Sequence, residues 1–61
     1  MARKQPEEFE IGDVIKKSAG TPYSGSTIIM TESLGTWMTR VTFANGEVVD
    51  FYKGIKHEMR E

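Results

Sequence analysis

The chain has no cysteine and a single histidine, His57, among its 61 residues. The missing thiols exclude a disulfide and a thiolate metal site, and one imidazole is too few for a histidine-based metal site. We therefore expect neither a metal nor a cofactor. The lack of cysteine also fits a reducing compartment, so the expected location is the cytoplasm.

Long apolar runs and a strong charge excess are also missing. No apolar stretch approaches the ~20 residues of a membrane span, so we expect no membrane partner. Residues 1–8 do not match a secretion signal, because no apolar stretch follows their two basic residues. The net charge of −1 lacks the basic signature that is typical of DNA-binding domains.

A chain of 61 residues forms one domain with a thin core. Such a core rarely supplies more than ~3–5 kcal/mol of net stability, and small domains usually add a disulfide or a metal. Without these, the chain depends on regular strand pairing, self-association or a partner. An oligomer is therefore one expectation.

The pattern of apolar and turn-forming residues predicts three regions. Residues 1–8 are charged and have little to bury, which predicts a flexible, solvated arm. Residues 9–54 predict an all-β small barrel of four or five antiparallel strands. Ile55 and Met59 lie four positions apart, which is compatible with a short helical turn or a frayed tail over 55–61. The expected strands are 9–17 with a turn at Gly12–Asp13, 27–31, 37–43 and 47–53, separated by a loop at 18–26 and a turn at 32–35.

The strongest local signal is the Asn45-Gly46 dipeptide, which is typical of a β-hairpin. A two-residue turn there mixes polar and apolar residues on both faces of the hairpin. A three-residue loop, with Ala44 and Asn45 in a type I turn and Gly46 left-handed, separates them, so we favour this register. The predicted pairs are Val41 with Val49, Thr39 with Phe51, and Arg40 with Asp50.

This register sorts the hairpin into a dry face and a wet face. The dry face holds Trp37, Thr39, Val41, Phe43, Val49 and Phe51. The wet face holds Met38, Arg40, Thr42, Val48, Asp50 and Tyr52. Exposed apolar residues grouped on a wet face indicate an interface. The alternative is an ordinary cross-strand pair, with the Tyr52 ring packed on Met38.

Trp37 has two interpretations. It closes the core, since no other side chain here buries as much area, or it stands at the rim beside Tyr23. In the second case Tyr23, Trp37 and Tyr52 form an aromatic groove of the kind that docks extended peptides. The predicted protein-binding residues are therefore Met38, Arg40, Tyr52, Trp37 and Tyr23.

Four lysines form a second candidate surface. The first and last strands of a closed barrel often lie side by side, so these lysines could converge and bind nucleic acid. The alternative is a solvated charged face. The four are Lys16, Lys17, Lys53 and Lys56.

No combination of nucleophile, base and orienting group is visible in the sequence. His57 lies in the expected tail, where a lone histidine is usually solvated. The Gly20–Gly25 loop lacks the lysine and the helix start that would hold a phosphate. We therefore predict no catalytic residue and no enzyme activity.

The Phe9-Glu10-Ile11-Gly12-Asp13-Val14-Ile15 segment and the late tight hairpin resemble SH3-like small barrels. The opening segment is similar to that of the YodC-like family, short cytoplasmic bacterial proteins, and the resemblance covers about half the chain. It implies an SH3-like barrel and a bacterial, phage or plasmid origin. It implies no particular activity.

A weaker resemblance is to the plasmid-borne, trimethoprim-resistant dihydrofolate reductase, a tetramer of SH3-like barrels around one active pore. Gly12–Ser18 looks like its first strand, and Val49-Asp50-Phe51-Tyr52 occupies the place of its Val-Gln-Ile-Tyr motif. The resemblance would make Lys16 the lysine that binds the substrate carboxylate and Tyr52 a pore residue. Asp50 replaces the glutamine, and an acidic ring would repel both anionic ligands.

The sequence thus predicts a non-enzymatic interaction module, a small accessory or inhibitory protein that docks on a larger protein. Nucleic-acid binding through the four lysines is the second hypothesis. An oligomeric reductase is the third.

Overall fold

The computed structural model describes residues 3–60. Met1, Ala2 and Glu61, which belong to the predicted arm and tail, lie outside the described residues. Within residues 3–60, the regular structure consists of one short 3-10 helix and five strands. They are β1 (Arg3–Lys4), the 3-10 helix (Pro6–Glu8), β2 (Ile28–Leu34), β3 (Met38–Phe43), β4 (Val48–Tyr52) and β5 (His57–Glu58).

The strands form two antiparallel sheets, one in the order β2-β3-β4 and one that pairs β1 with β5. A short segment links the two sheets, because Val14 bridges Thr27 and Ile15 bridges Met59. The all-β fold predicted from the sequence is confirmed. It is small, with a radius of gyration of 10.4 Å.

The core packs on the inner face of the three-stranded sheet, and three phenylalanines lie at its centre. The rings of Phe9 and Phe43 both meet the ring of Phe51 edge to face, at centroid distances of 5.7 and 6.4 Å. The three-stranded sheet supplies four of the buried residues, and the others come from the linking segment and from the chain that follows the 3-10 helix and β5. The buried apolar residues are Phe9, Ile15, Ile28, Val41, Phe43, Phe51 and Met59.

The hairpin between β3 and β4 has the predicted register, with Val41 opposite Val49, Thr39 opposite Phe51, and Arg40 opposite Asp50. The Phe43 amide donates to the Glu47 carbonyl at 2.8 Å, which closes the three-residue loop. Gly46 has φ of +93°, the left-handed conformation that glycine adopts without strain. The register predicted from the separation of polar and apolar residues is therefore confirmed.

Strand β2 is longer than predicted, since it continues to Leu34 through the expected turn at 32–35. Glu32 pairs with Arg40 and Ser33 with Thr39, so cross-strand partners hold these polar residues in the sheet. The turn falls instead at Gly35–Trp37.

The predicted strand at 9–17 is replaced by a tight turn and a short bridged segment. The Asp13 amide donates to the Glu10 carbonyl at 3.0 Å, and Gly12 has φ of +101°, as the third position of a type II turn requires. Ile11 lies at the second position of this turn and is 75% exposed. Phe9 and Ile11 therefore do not lie on the same buried face of a strand, although their spacing predicted one.

The N-terminal segment differs from the expected solvated arm. Arg3 and Lys4 pair with Glu58 and His57, and Pro6 is buried. The Lys4 ammonium lies 2.7 Å from the Asp13 carboxylate, which adds an ion pair to the strand pairing. The segment is thus part of the fold over residues 3–8.

The C-terminal segment is neither a helical turn nor a frayed tail. His57 and Glu58 form β5, and Met59 is buried against the core with 4% of its surface exposed. The spacing between Ile55 and Met59 is four residues, which suits a helix but is also a multiple of the two-residue strand period. Ile55 lies before β5 and is 55% exposed, so the two residues do not share a buried face.

The Thr39 hydroxyl is buried and has no hydrogen-bond partner among residues 3–60. A buried hydroxyl without a partner costs free energy that an apolar side chain of the same shape does not. We therefore expect Thr39→Val to raise the free energy of unfolding by about 1 kcal/mol. Urea denaturation of the two proteins measures this, with the exposed-site variant Thr36→Val as control. A destabilised Thr39→Val protein would contradict the expectation.

Candidate functional site

The three-stranded sheet turns one face to solvent, which we call the outer face. The register aligns its side chains into three rows across β2, β3 and β4. The middle row is charged and alternates in sign, as Glu32, Arg40 and Asp50. Arg40 Nε donates to Asp50 Oδ1 at 2.9 Å. The hydrogen bond to Asp50 stabilises the charged guanidinium and raises the pKa of Arg40. The negative charge of Asp50 and, to a smaller extent, that of Glu32 act in the same direction.

An apolar row lies on each side of the charged row. One row consists of Leu34, Met38 and Tyr52, and the other of Met30, Thr42 and Val48. Tyr52 is 64% exposed, while Met30 and Val48 are each 55% exposed. Met38, Arg40 and Tyr52, predicted as one binding surface, therefore do lie together on the outer face.

Five of the seven exposed large apolar side chains lie in this sheet or directly beside it. Met30, Val48 and Tyr52 belong to the outer face, Ile29 lies in β2, and Trp37 directly precedes β3. Scattered exposed apolar residues are normal, but a grouped set indicates an interaction surface. The full set is Ile11, Ile29, Met30, Trp37, Val48, Tyr52 and Ile55.

Strand β4 is an edge strand, since it pairs only with β3. The Lys53 amide donates to the Trp37 carbonyl, and the Phe43 amide to the Glu47 carbonyl, so the odd-numbered residues of β4 are bonded to β3. The backbone groups of Val48, Asp50 and Tyr52 therefore point away from the sheet. No hydrogen bond within residues 3–60 engages them.

Trp37 does not close the core, because it is 76% exposed. It belongs to the turn before β3, past Thr39, which is the last buried residue at that end of the strand. The predicted dry face of the hairpin therefore does not extend to Trp37, because this residue is exposed rather than buried. The other five residues of that face are buried or half-buried, as predicted.

Tyr23 lies on the core side of the sheet. Its ring stacks on Phe43 at a centroid distance of 5.5 Å and meets Phe51 edge to face at 5.2 Å. Tyr52 projects from the opposite face. The structure therefore does not assemble Tyr23, Trp37 and Tyr52 into a single groove.

The four lysines that were predicted to form a nucleic-acid surface do not all lie together. Lys16 and Lys17 border a groove of about 380 Å³ that Tyr23 and His57 also line. The Lys16 ammonium is 3.4 Å from the Glu58 carboxylate, which offsets its charge. Lys53 donates instead to Ser33 Oγ and the Gly35 carbonyl at the far end of β2.

Lys56 is exposed and directly precedes β5. Lys53 is held at Ser33 and Gly35, so it lies apart from the segment that contains Lys16 and Lys17. Lys16 and Lys17 line the same groove, and neither Lys53 nor Lys56 lines it.

His57 contacts two core aromatics, since its ring lies 5.0 Å from that of Phe51 and 5.9 Å from that of Phe9. Burial disfavours the charged imidazolium and lowers the pKa of His57. His57 is thus half-buried, whereas the sequence predicted a solvated residue in a tail. Among the described residues, no group of three or more acidic, histidine or cysteine side chains could hold a metal ion.

No family model, curated protein or solved structure shows significant similarity to the chain. Within the part of the chain that the structure describes, no helix has the length and apolar character needed to cross a membrane.

Sequence reasoning missed the β2 contribution to the outer face. Met30, Glu32 and Leu34 lie on this face. The sequence predicted a turn at 32–35 that includes Glu32 and Leu34, so these two residues were not expected in a strand. Their period-two spacing, with a glutamate directly opposite Arg40, was the signal that could have revealed them.

Proposed function

We propose that the protein is a non-enzymatic interaction module that docks on a larger protein through its outer face. The observation that carries this proposal is the row arrangement, in which two partly exposed apolar rows flank one charged row. Apolar rows supply area to bury, while a charged row fixes the orientation of the partner. A small accessory or inhibitory protein of the cytoplasm fits this mode of action.

The other surfaces support this choice. The groove beside Lys16 and Lys17 also contains Glu58, so its positive charge is partly offset. Nucleic-acid binding, in contrast, needs a basic surface that follows a phosphate backbone. The outer face offers partly exposed apolar area, which is typical of a protein interface.

The test is partner recovery from a lysate of the source cells on immobilised protein. We expect Tyr52→Ala and Met38→Ala each to lower recovery of the bound partner by about tenfold, as truncation of a central interface residue does. Lys17→Gln is the matched control, since it lies off the outer face. Circular dichroism establishes that all three variants fold.

Two outcomes contradict the proposal. Unchanged recovery with both outer-face variants would exclude the outer face as the docking surface. Loss of recovery only with Lys17→Gln, together with a strong salt dependence, would assign binding to the lysine groove and support nucleic acid as the partner.

A further inference from the structure

We infer that the partner contributes an extended segment that pairs antiparallel with the free edge of β4 and becomes a fourth strand of the sheet. The segment has an apolar residue beside Tyr52, a lysine or arginine beside Asp50, and an apolar residue beside Val48. The inference rests on the proposed function, because the added strand would extend the outer face.

The open edge supplies the backbone part of this recognition. Three residues, Val48, Asp50 and Tyr52, present amide and carbonyl groups away from β3. Such groups pair readily with another extended chain, and strand addition at a sheet edge is a recurring mode of peptide binding. All three residues are exposed.

The rows of the outer face determine the side chains of the added strand. The middle row runs negative, positive, negative across Glu32, Arg40 and Asp50, so its next position favours a cation. The Arg40 guanidinium makes two contacts with Asp50, at 2.9 and 3.4 Å, which fixes the carboxylate at the edge of the sheet. A cation opposite Asp50 therefore meets a positioned acceptor.

The flanking positions favour apolar residues. Tyr52 ends the row that starts at Leu34, and Val48 ends the row that starts at Met30. Apolar side chains beside Tyr52 and Val48 would bury surface that is now 64% and 55% exposed. The resulting pattern on the partner is apolar, any residue, lysine or arginine, any residue, apolar.

A second copy of this chain fits the edge less well. The symmetric pairing that engages all three outward residues sets Val48 opposite Tyr52 of the other copy, and Asp50 opposite Asp50. Like charges directly opposite each other destabilise a strand pair. Charge complementarity therefore favours a different, basic segment over self-pairing.

The experiment uses the full chain and four capped peptides. The probe is Thr-Val-Thr-Lys-Thr-Val-Thr, and its charge control has glutamate in place of lysine. Two further peptides carry an N-methyl group, one on the lysine amide, which would face β4, and one on the following threonine amide, which would face away. Fluorescence anisotropy gives the affinities, and amide hydrogen exchange by NMR gives the contacts.

We expect the probe to bind at least tenfold more tightly than the glutamate peptide. Methylation of the lysine amide should abolish binding, whereas methylation of the threonine amide should change the affinity less than twofold. Bound peptide should slow exchange at the amides of Val48, Asp50 and Tyr52. The amides of Val49 and Phe51, already bonded to β3, should not change.

Two protein variants complete the test. Val48→Pro removes an outward amide and is expected to weaken peptide binding about tenfold while β3 and β4 stay paired, because proline is tolerated on the free side of an edge strand. Val49→Pro removes a β3–β4 hydrogen bond and is expected to unfold. The peptide results do not depend on either variant.

Several results would overturn strand addition. These are absence of probe binding, equal affinity of the two methylated peptides, or concentration-dependent protection of the three amides without peptide, which would assign the edge to a second copy. If these occur while Tyr52→Ala still loses the partner, docking on the outer face stands and strand addition fails. If Tyr52→Ala and Met38→Ala recover the partner normally, the proposed function itself fails.

Discussion

Replacing Phe43 by alanine is expected to leave most of the protein unfolded at 25 °C. The side chain is fully buried, stacks on Tyr23 at 5.5 Å and meets Phe51 at 6.4 Å. Truncation of a buried phenylalanine costs about 3–5 kcal/mol, and a core of this size supplies about the same net stability. Far-ultraviolet circular dichroism and urea titration measure the populations.

The matched control is Trp37→Ala, which truncates a larger ring. Because 76% of the Trp37 surface is exposed, we expect its loss to change the free energy of unfolding by no more than about 0.5 kcal/mol. A Trp37→Ala protein destabilised as much as Phe43→Ala would show that the indole, not Phe43, completes the core.

Replacing Asp13 by alanine is expected to lower the free energy of unfolding by about 1–2 kcal/mol. Its carboxylate accepts hydrogen bonds from Lys4 Nζ at 2.7 Å and from the Glu10 amide at 2.9 Å. Each such bond contributes about 0.5–1.5 kcal/mol. The substitution thereby loosens both the 10–13 turn and the N-terminal segment, which urea denaturation at pH 7 measures.

The same carboxylate makes the fold sensitive to acid. Burial raises the pKa of Asp13, but the hydrogen bonds from Lys4 and from the Glu10 backbone outweigh it and hold the pKa below the usual value of an aspartate. The unfolded chain therefore binds a proton more readily, and the stabilisation that is complete above the usual aspartate pKa is lost as the pH falls through the lower, folded pKa. Asp13→Asn should show a shallower loss of stability in this range.

Glu10→Gln is the control for Asp13, because its side chain also contacts Lys4, at 3.2 Å, but is 78% exposed. Exposed ion pairs contribute little, so this variant should keep nearly full stability and the acid sensitivity of the parent. Equal effects of Glu10→Gln and Asp13→Ala would show that general charge near Lys4, rather than the Asp13 hydrogen bonds, stabilises the turn.

The β3–β4 hairpin was predictable because local signals agree there. Gly46 marks the loop, and only one register separates polar from apolar side chains. The positions of Arg40, Asp50 and Tyr52 on one face follow from that register alone. This part of the candidate site thus needed no long-range information.

The remaining errors concern features that depend on the whole fold. Trp37 is exposed because the core ends at Thr39, and no local pattern shows where a core ends. The ion pair between Lys4 and Asp13 and the pairing of β1 with β5 join distant parts of the sequence. The expected arm and tail were therefore wrong for the same reason, since each acquires its structure from the other.

The pairing of β1 with β5 has a consequence for synthesis of the protein. Arg3 lies opposite Glu58, so the first described strand has no partner until residue 58 has left the ribosomal exit tunnel. Phe9 and Ile15, near the start, gain the contacts of His57 and Met59 only at that point. The pairing of the N-terminal segment is therefore completed later than the β2-β3-β4 sheet, whose last strand ends at Tyr52.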